Sequence, residues 1–141
     1  MLLMLAGCTE LGDDSIFTAL PDAAASADAE PLLQPNLTSI QNNVFLPHCS
    51  CHRALPRAGL LSLKAGEEIA ALVDVAANCS TVTMDRVVPG DPDNSFLIVK
   101  LAAHTEGGPL DCGDPMPLQP DPISQEKLDI VREWIENGAN P

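Results

Sequence analysis

Basic residues are scarce in this chain. The first Lys or Arg is Arg53, and 7 basic residues stand against 20 acidic ones in 141 positions, for a net charge of −13. An acidic surface repels phosphate backbones, which argues against nucleic-acid partners, although the same field can steer a basic protein. Tyrosine is absent and the aromatics amount to three Phe and one Trp. A small domain with so few large rings buries little surface and leans on a disulfide or a cofactor. No stretch approaches the roughly 18 consecutive apolar residues of a spanning helix. No internal repeat is visible, and no segment alternates long enough to predict a strand. What is plentiful is Leu, Ala, Val and Ile, within a 45% apolar composition, together with 13 prolines and 9 glycines. That balance predicts an all-α domain of about four short helices joined by long loops.

The N-terminus reads as a tether. The apolar run Met1 to Ala6 enters Leu5-Ala6-Gly7-Cys8, which resembles the bacterial lipobox, where a small residue before Cys allows cleavage and acylation of the thiol. Residues 1–8 are therefore expected to be a signal remnant ending in a lipidated Cys8, whose several acyl chains would hold the protein at a membrane. The run is shorter than a full secretory signal and has no basic n-region, as expected of a start assigned too far downstream. Residues 9–35 carry Asp13-Asp14, Ala23-Ala24-Ala25 and prolines 21, 31 and 35, with no basic residue and no helical stripe. This composition predicts a flexible, self-repelling acidic linker. The implied location is the bacterial cell envelope, with the domain in the periplasm or at the outer membrane. Thr9 lacks the Asp associated with inner-membrane retention, which favours the outer membrane.

Residues 36–141 carry the fold. Thr38 and Gln41 form a capping-box pattern ahead of Ile40, Val44 and Phe45, predicting a helix that Pro47 ends. A second helix is predicted over 65–77, with Ile69, Leu72, Val73 and Ala76 on its apolar face. After the turn Pro89-Gly90-Asp91-Pro92, a third begins near Asn94 and runs through Phe96, Leu97, Ile98 and Leu101. The last is bounded by a Ser124 cap and Gly138, with an Ile123–Leu128 staple and a stripe of Leu128, Val131, Trp134 and Ile135.

Of five cysteines, Cys49, Cys51, Cys79 and Cys112 remain once Cys8 is lipidated, and in an oxidising compartment each should be bonded to something. Cys79 and Cys112 sit beside turn residues in loops flanking the third helix. A disulfide between them would close a loop of about 34 residues and stabilise by about 3 to 4 kcal/mol; a pairing that uses Cys49 or Cys51 is the competing arrangement. The segment His48-Cys49-Ser50-Cys51-His52 carries the most chemistry. Structural zinc sites space their cysteines by two to four residues, so one intervening residue argues against zinc. Cys-x-x-Cys-His is the haem attachment signal, in which thiols add to haem vinyl groups and the His ligates iron. Here one residue between the cysteines would bring both sulfurs to one porphyrin edge only if the segment were extended. Attachment through Cys51 alone, with Cys49 elsewhere, is the alternative. Met116 lies in a Gly-Asp-Pro-Met-Pro loop, a stiff setting for a soft thioether ligand, though Met also serves as core filler, as expected of Met84. His48 and His104 are read as loop or surface residues.

The order of these pieces over about 100 residues resembles the small cytochrome c domains of the planctomycete type, also found in myxobacterial envelope proteins. The resemblance rests on Cys51-His52, Ala58-Gly59-Leu60, the run from Val87 to Ser95, Lys100-Leu101, Cys112-Gly113, Met116-Pro117 and the run from Trp134 to Ala139. It implies a cytochrome c-like fold, one covalent haem c held by Cys49 and Cys51 or by Cys51 alone, His52 as proximal ligand and Met116 as distal ligand. The implied function is electron transfer with envelope redox proteins, not enzymatic turnover. Two other functions compete. One is a haem-free, disulfide-stabilised binding or scaffold module, motivated by the Cys spacing. The other is a thiol–disulfide enzyme using Cys49 and Cys51, which is weaker because the pair follows a helix and does not begin one.

Overall fold

A computed structural model describes residues 32–54, 57–118 and 120–141. Cys8, the lipobox and the linker as far as residue 31 lie outside them. The described part is all-α: four helices, three isolated β-bridges and no strand among the described residues.

Helix α1 (37–48) is capped by Asn36, whose side chain accepts from the Ser39 amide at 2.9 Å. Thr38 is therefore not the cap. Gln41 turns inward instead of back to the helix start, and its amide donates to the Leu63 carbonyl at 3.3 Å. Leu37–Ile40 is α-helical, Gln41–Phe45 widens into a π turn, and Leu46–His48 resumes the α form. Pro47 thus sits inside the helix and does not end it. The wide turn directly precedes the proline, where a regular α turn would press its ring against the Asn43 carbonyl.

Helix α2 is only Glu68–Leu72, much shorter than the predicted 65–77. Past Leu72 the chain leaves the helical region: Val73 is extended and Asp74 has φ 54°. Val73 then pairs with Val87 and Ala76 with Asp85. Two β-branched valines flank Asp74, and bridging from residues beyond position 80 overrides a weak helical pattern.

Helix α3 is Phe96–Thr105 and α4 is Gln125–Glu136, both close to expectation. The run before α3 builds its start. The buried Ser95 hydroxyl accepts from the Val88 amide at 2.9 Å and donates to the Asp91 carbonyl at 2.8 Å. Gly90, at φ 80°, donates its amide to the Ile135 carbonyl at 2.8 Å, so the turn is fastened to α4. Ser124 caps α4 by accepting from the Lys127 amide. Gly138 closes it at φ 97°, a conformation that favours glycine.

The core forms where α4 packs on α1 and α3. The predicted stripe of Leu128, Val131, Trp134 and Ile135 is fully buried, against Ile40, Val44 and Phe45 of α1 and Ile98 and Leu101 of α3. Trp134, at 2% exposure, satisfies its indole N–H on the Asn140 carbonyl at 2.7 Å. At the surface, Arg132 of α4 grips Glu106 beyond α3 through two hydrogen bonds of 2.7 and 2.8 Å.

Candidate functional site

One cavity of about 540 Å³ with largely apolar walls opens beside the core. This is within the usual range for a ligand site, roughly 300–1,000 Å³. Its walls come from the end of α1, the 3-10 turns Ser50–His52 and Ala58–Leu60, the inner face of α3, and the loop after Cys112. Cys49, Cys51, His52, Cys112 and Met116 all border it, although Met116 lies far along the chain from the first three.

His52 is fixed in two ways. Its carbonyl accepts from the amide of buried Leu63 at 3.0 Å, and Leu63 in turn receives the Gln41 side chain from the π turn of α1. Its ring Nδ1 lies 2.9 Å from the Ala58 carbonyl. A carbonyl can only accept, so Nδ1 carries the proton and Nε2 keeps its lone pair. Burial holds the imidazole below its ordinary pKa, and the cations Arg86 and Lys100 act in the same direction, against the Ala58 bond. The result is a neutral imidazole of defined tautomer, oriented by a backbone carbonyl as metal-binding histidines usually are.

The two cysteines have different environments. Cys51 is exposed at the cavity, inside the 3-10 turn. Cys49, at the C-cap of α1, packs against the core, and burial pushes its thiol up to about 12 despite the nearby Arg53. The segment is therefore helical and turned, not extended. A thiolate is the nucleophile in thiol chemistry, so Cys51 is the reactive member and Cys49 is suppressed.

The Met116 loop has no helix or strand of its own, yet it is fastened at several points. Cys79 and Cys112 are disulfide-bonded with Cα atoms 6.2 Å apart, the predicted pairing and an ordinary span for such a bond. Thr81 donates to the Asp111 carbonyl at 2.7 Å beside it. The Met116 amide donates to the Lys100 carbonyl at 3.0 Å, and the Pro117 carbonyl accepts from His104 Nδ1 at 3.1 Å. Met116 is partly buried against the core edge.

His48, read from sequence as a loop or surface residue, ends α1 and borders the cavity, and its Nε2 accepts from Lys127 at 3.1 Å. Met84 and His104 do not border it; Met84 faces a separate, shallower hollow. Sequence reasoning gave no role to Arg86 and Lys100, both of which line the cavity. Neither has a carboxylate partner among the described residues; both hydrogen-bond to carbonyls. A signal for Lys100 existed, since it is the only charged residue in an otherwise apolar run from Phe96 to Ala103. Arg86 has no comparable signal.

Among the described residues, no three of His, Cys, Asp and Glu converge to hold a metal ion unaided. A porphyrin would supply its own four nitrogens, so the protein would need to add only an imidazole and a thioether of the kind found together in haem proteins. His52 and Met116, which both border the cavity, are of the donor types such a group would take. Comparison with protein families, with curated proteins and with solved structures finds no match.

Proposed function

We propose that this chain is an envelope-tethered electron-transfer protein carrying one haem c, joined through Cys51 and ligated by His52 and Met116. The observation that carries the reading is the convergence, on one apolar cavity, of an exposed thiol, a neutral imidazole with its Nδ1–H engaged, and a thioether from a distant loop. When bound, the group supplies one-electron iron chemistry, and a Met/His pair raises its reduction potential. Cys51 would form the thioether, while Cys49 stays packed against the core with a suppressed thiol. His52 would present Nε2, with the Ala58 carbonyl holding the ring. Arg86, a cavity cation without a carboxylate partner among the described residues, would face the porphyrin's carboxylates. Lipid attachment through Cys8 and exchange with envelope redox proteins complete the proposal. The test is to co-express the chain with a haem-maturation system and record the spectrum after denaturation. Haem absorption that survives unfolding is the expected result; a colourless protein defeats the reading.

The altered Cys-x-Cys spacing and the half-buried Cys49, packed against the core, favour a second reading, a haem-free binding module built on the same disulfide-fastened domain. A thiol–disulfide enzyme gains no support, because such chemistry needs a lowered thiol pKa and that of Cys49 is raised.

A further inference from the structure

Among the fastenings of the loop that presents Met116, one side chain reaches its middle, which has no helix or strand of its own. Lys100, on the cavity side of α3, donates from Nζ to the Cys112 carbonyl and to the Asp114 carbonyl, each at 2.6 Å. Its own carbonyl accepts from the Met116 amide at 3.0 Å. One residue thus fastens alternate positions 112, 114 and 116. Gly113, between the first two, has φ 60°, and a Cβ built there would stand 3.4 Å from Lys100 Nζ, so the ammonium lies directly against the loop backbone. The same ammonium is 5.7 Å from the centre of the Phe96 ring, one helical turn earlier, which favours keeping the charge there. His104, one turn later on the same face, donates from Nδ1 to the Pro117 carbonyl. The disulfide ties only the start of the loop. An ammonium shared between two carbonyls forms charge-assisted bonds, which are the stronger kind.

We infer that Lys100 is the positioning residue for Met116: its ammonium fixes the 112–116 backbone so that the thioether stays at the cavity. The clamp stands on its own geometry, and only its consequence for iron ligation rests on the proposed haem reading.

The test uses the full chain and compares wild type with Lys100→Met, which keeps the length and the backbone carbonyl, and Lys100→Arg, which restores a cationic donor. The first readout is amide hydrogen exchange and needs no haem. Losing the clamp should speed exchange at Met116 about tenfold in Lys100→Met, leave the α4 amides from Ile130 to Trp134 unchanged, and largely recover in Lys100→Arg. The second readout, on matured protein, is titration with imidazole as a competitor for the distal position. Lys100→Met should bind it about tenfold more tightly than wild type, approaching Met116→Ala, with Lys100→Arg between. Unchanged exchange at Met116 overturns the inference. So does faster exchange that is equal in the loop and in α4, since that marks general destabilisation. If no pigment attaches in wild type, the haem reading fails and exchange alone decides the clamp. If pigment attaches but imidazole binds wild type and Lys100→Met equally, the clamp does not govern ligation and the inference falls while the haem reading stands.

Discussion

Removing the Cys79–Cys112 bond should cost a large share of the domain's stability while leaving its fold intact. The bond joins residues separated by 33 positions, across the whole of α3. Closing a loop of about 34 residues lowers the entropy of the unfolded chain by an amount worth about 4 kcal/mol at 25 °C. A folded region of about 110 residues has an unfolding entropy near 0.23 kcal/mol/K, so the loss corresponds to about 17 °C in Tm. The native loop keeps its other fastenings, from Thr81 to Asp111 and from Lys100 to Cys112 and Asp114, so the effect should arise in the unfolded state. The assay is urea unfolding of the double variant Cys79→Ser/Cys112→Ser against wild type, followed by fluorescence of the sole tryptophan, Trp134, which is buried. The midpoint should fall sharply while the native emission stays unchanged. A loss below about 1 kcal/mol would refute the reasoning, because the loop length alone sets a larger value.

In haem-free protein, Cys51 should alkylate readily and Cys49 far more slowly, since a rise from 9.0 to about 12 lowers the thiolate fraction of Cys49 about a thousandfold; peptide mapping after a timed iodoacetamide pulse checks this, and equal labelling would contradict it. Glu106 is held at about 2, below its ordinary 4.5, chiefly by the Arg132 hydrogen bonds. A depressed carboxylate contributes stability that is full above its unfolded pKa and fades as pH falls through its folded one. Glu106→Gln should therefore flatten the stability–pH curve between about 4.5 and 2, with little added loss at the acid end; an unaltered slope in urea titrations would remove the pair from the account. Trp134→Ala should cost about 3 to 5 kcal/mol by emptying the centre of the core, whereas Ser124→Ala should cost about 1 kcal/mol by uncapping α4; thermal unfolding followed by circular dichroism orders the two, and a reversed order would contradict the packing described.

Local signals decided what could be read in advance. Helix α4 was legible throughout, because Ser124, the Leu128–Ile135 stripe and Gly138 act within a few residues of one another. Helix α3 was legible for the same reason. Helix α2 was not, since its truncation depends on Val73 meeting Val87 and Ala76 meeting Asp85, contacts no window of ten residues contains. The inward turn of Gln41 was equally hidden, because its partner, the Leu63 carbonyl, is brought near only by the fold. At the site, Cys51, His52 and Met116 could be chosen from sequence because thiol, imidazole and thioether advertise their chemistry. Lys100 stood out only as the one charge in the run from Phe96 to Ala103 and Arg86 not at all, because both act on backbone carbonyls, which leave no mark in the sequence. The separate characters of Cys49 and Cys51 follow from burial, which two neighbouring identical residues cannot reveal.

The central claim is that a single thiol, that of Cys51, anchors the haem. Intact mass measured under denaturing conditions, on chain matured with Cys49→Ser or Cys51→Ser beside wild type, tests it most directly. The account predicts retained haem mass in wild type and Cys49→Ser, and its loss in Cys51→Ser. Haem-free wild type, or haem that disappears with Cys49 and persists without Cys51, would contradict it.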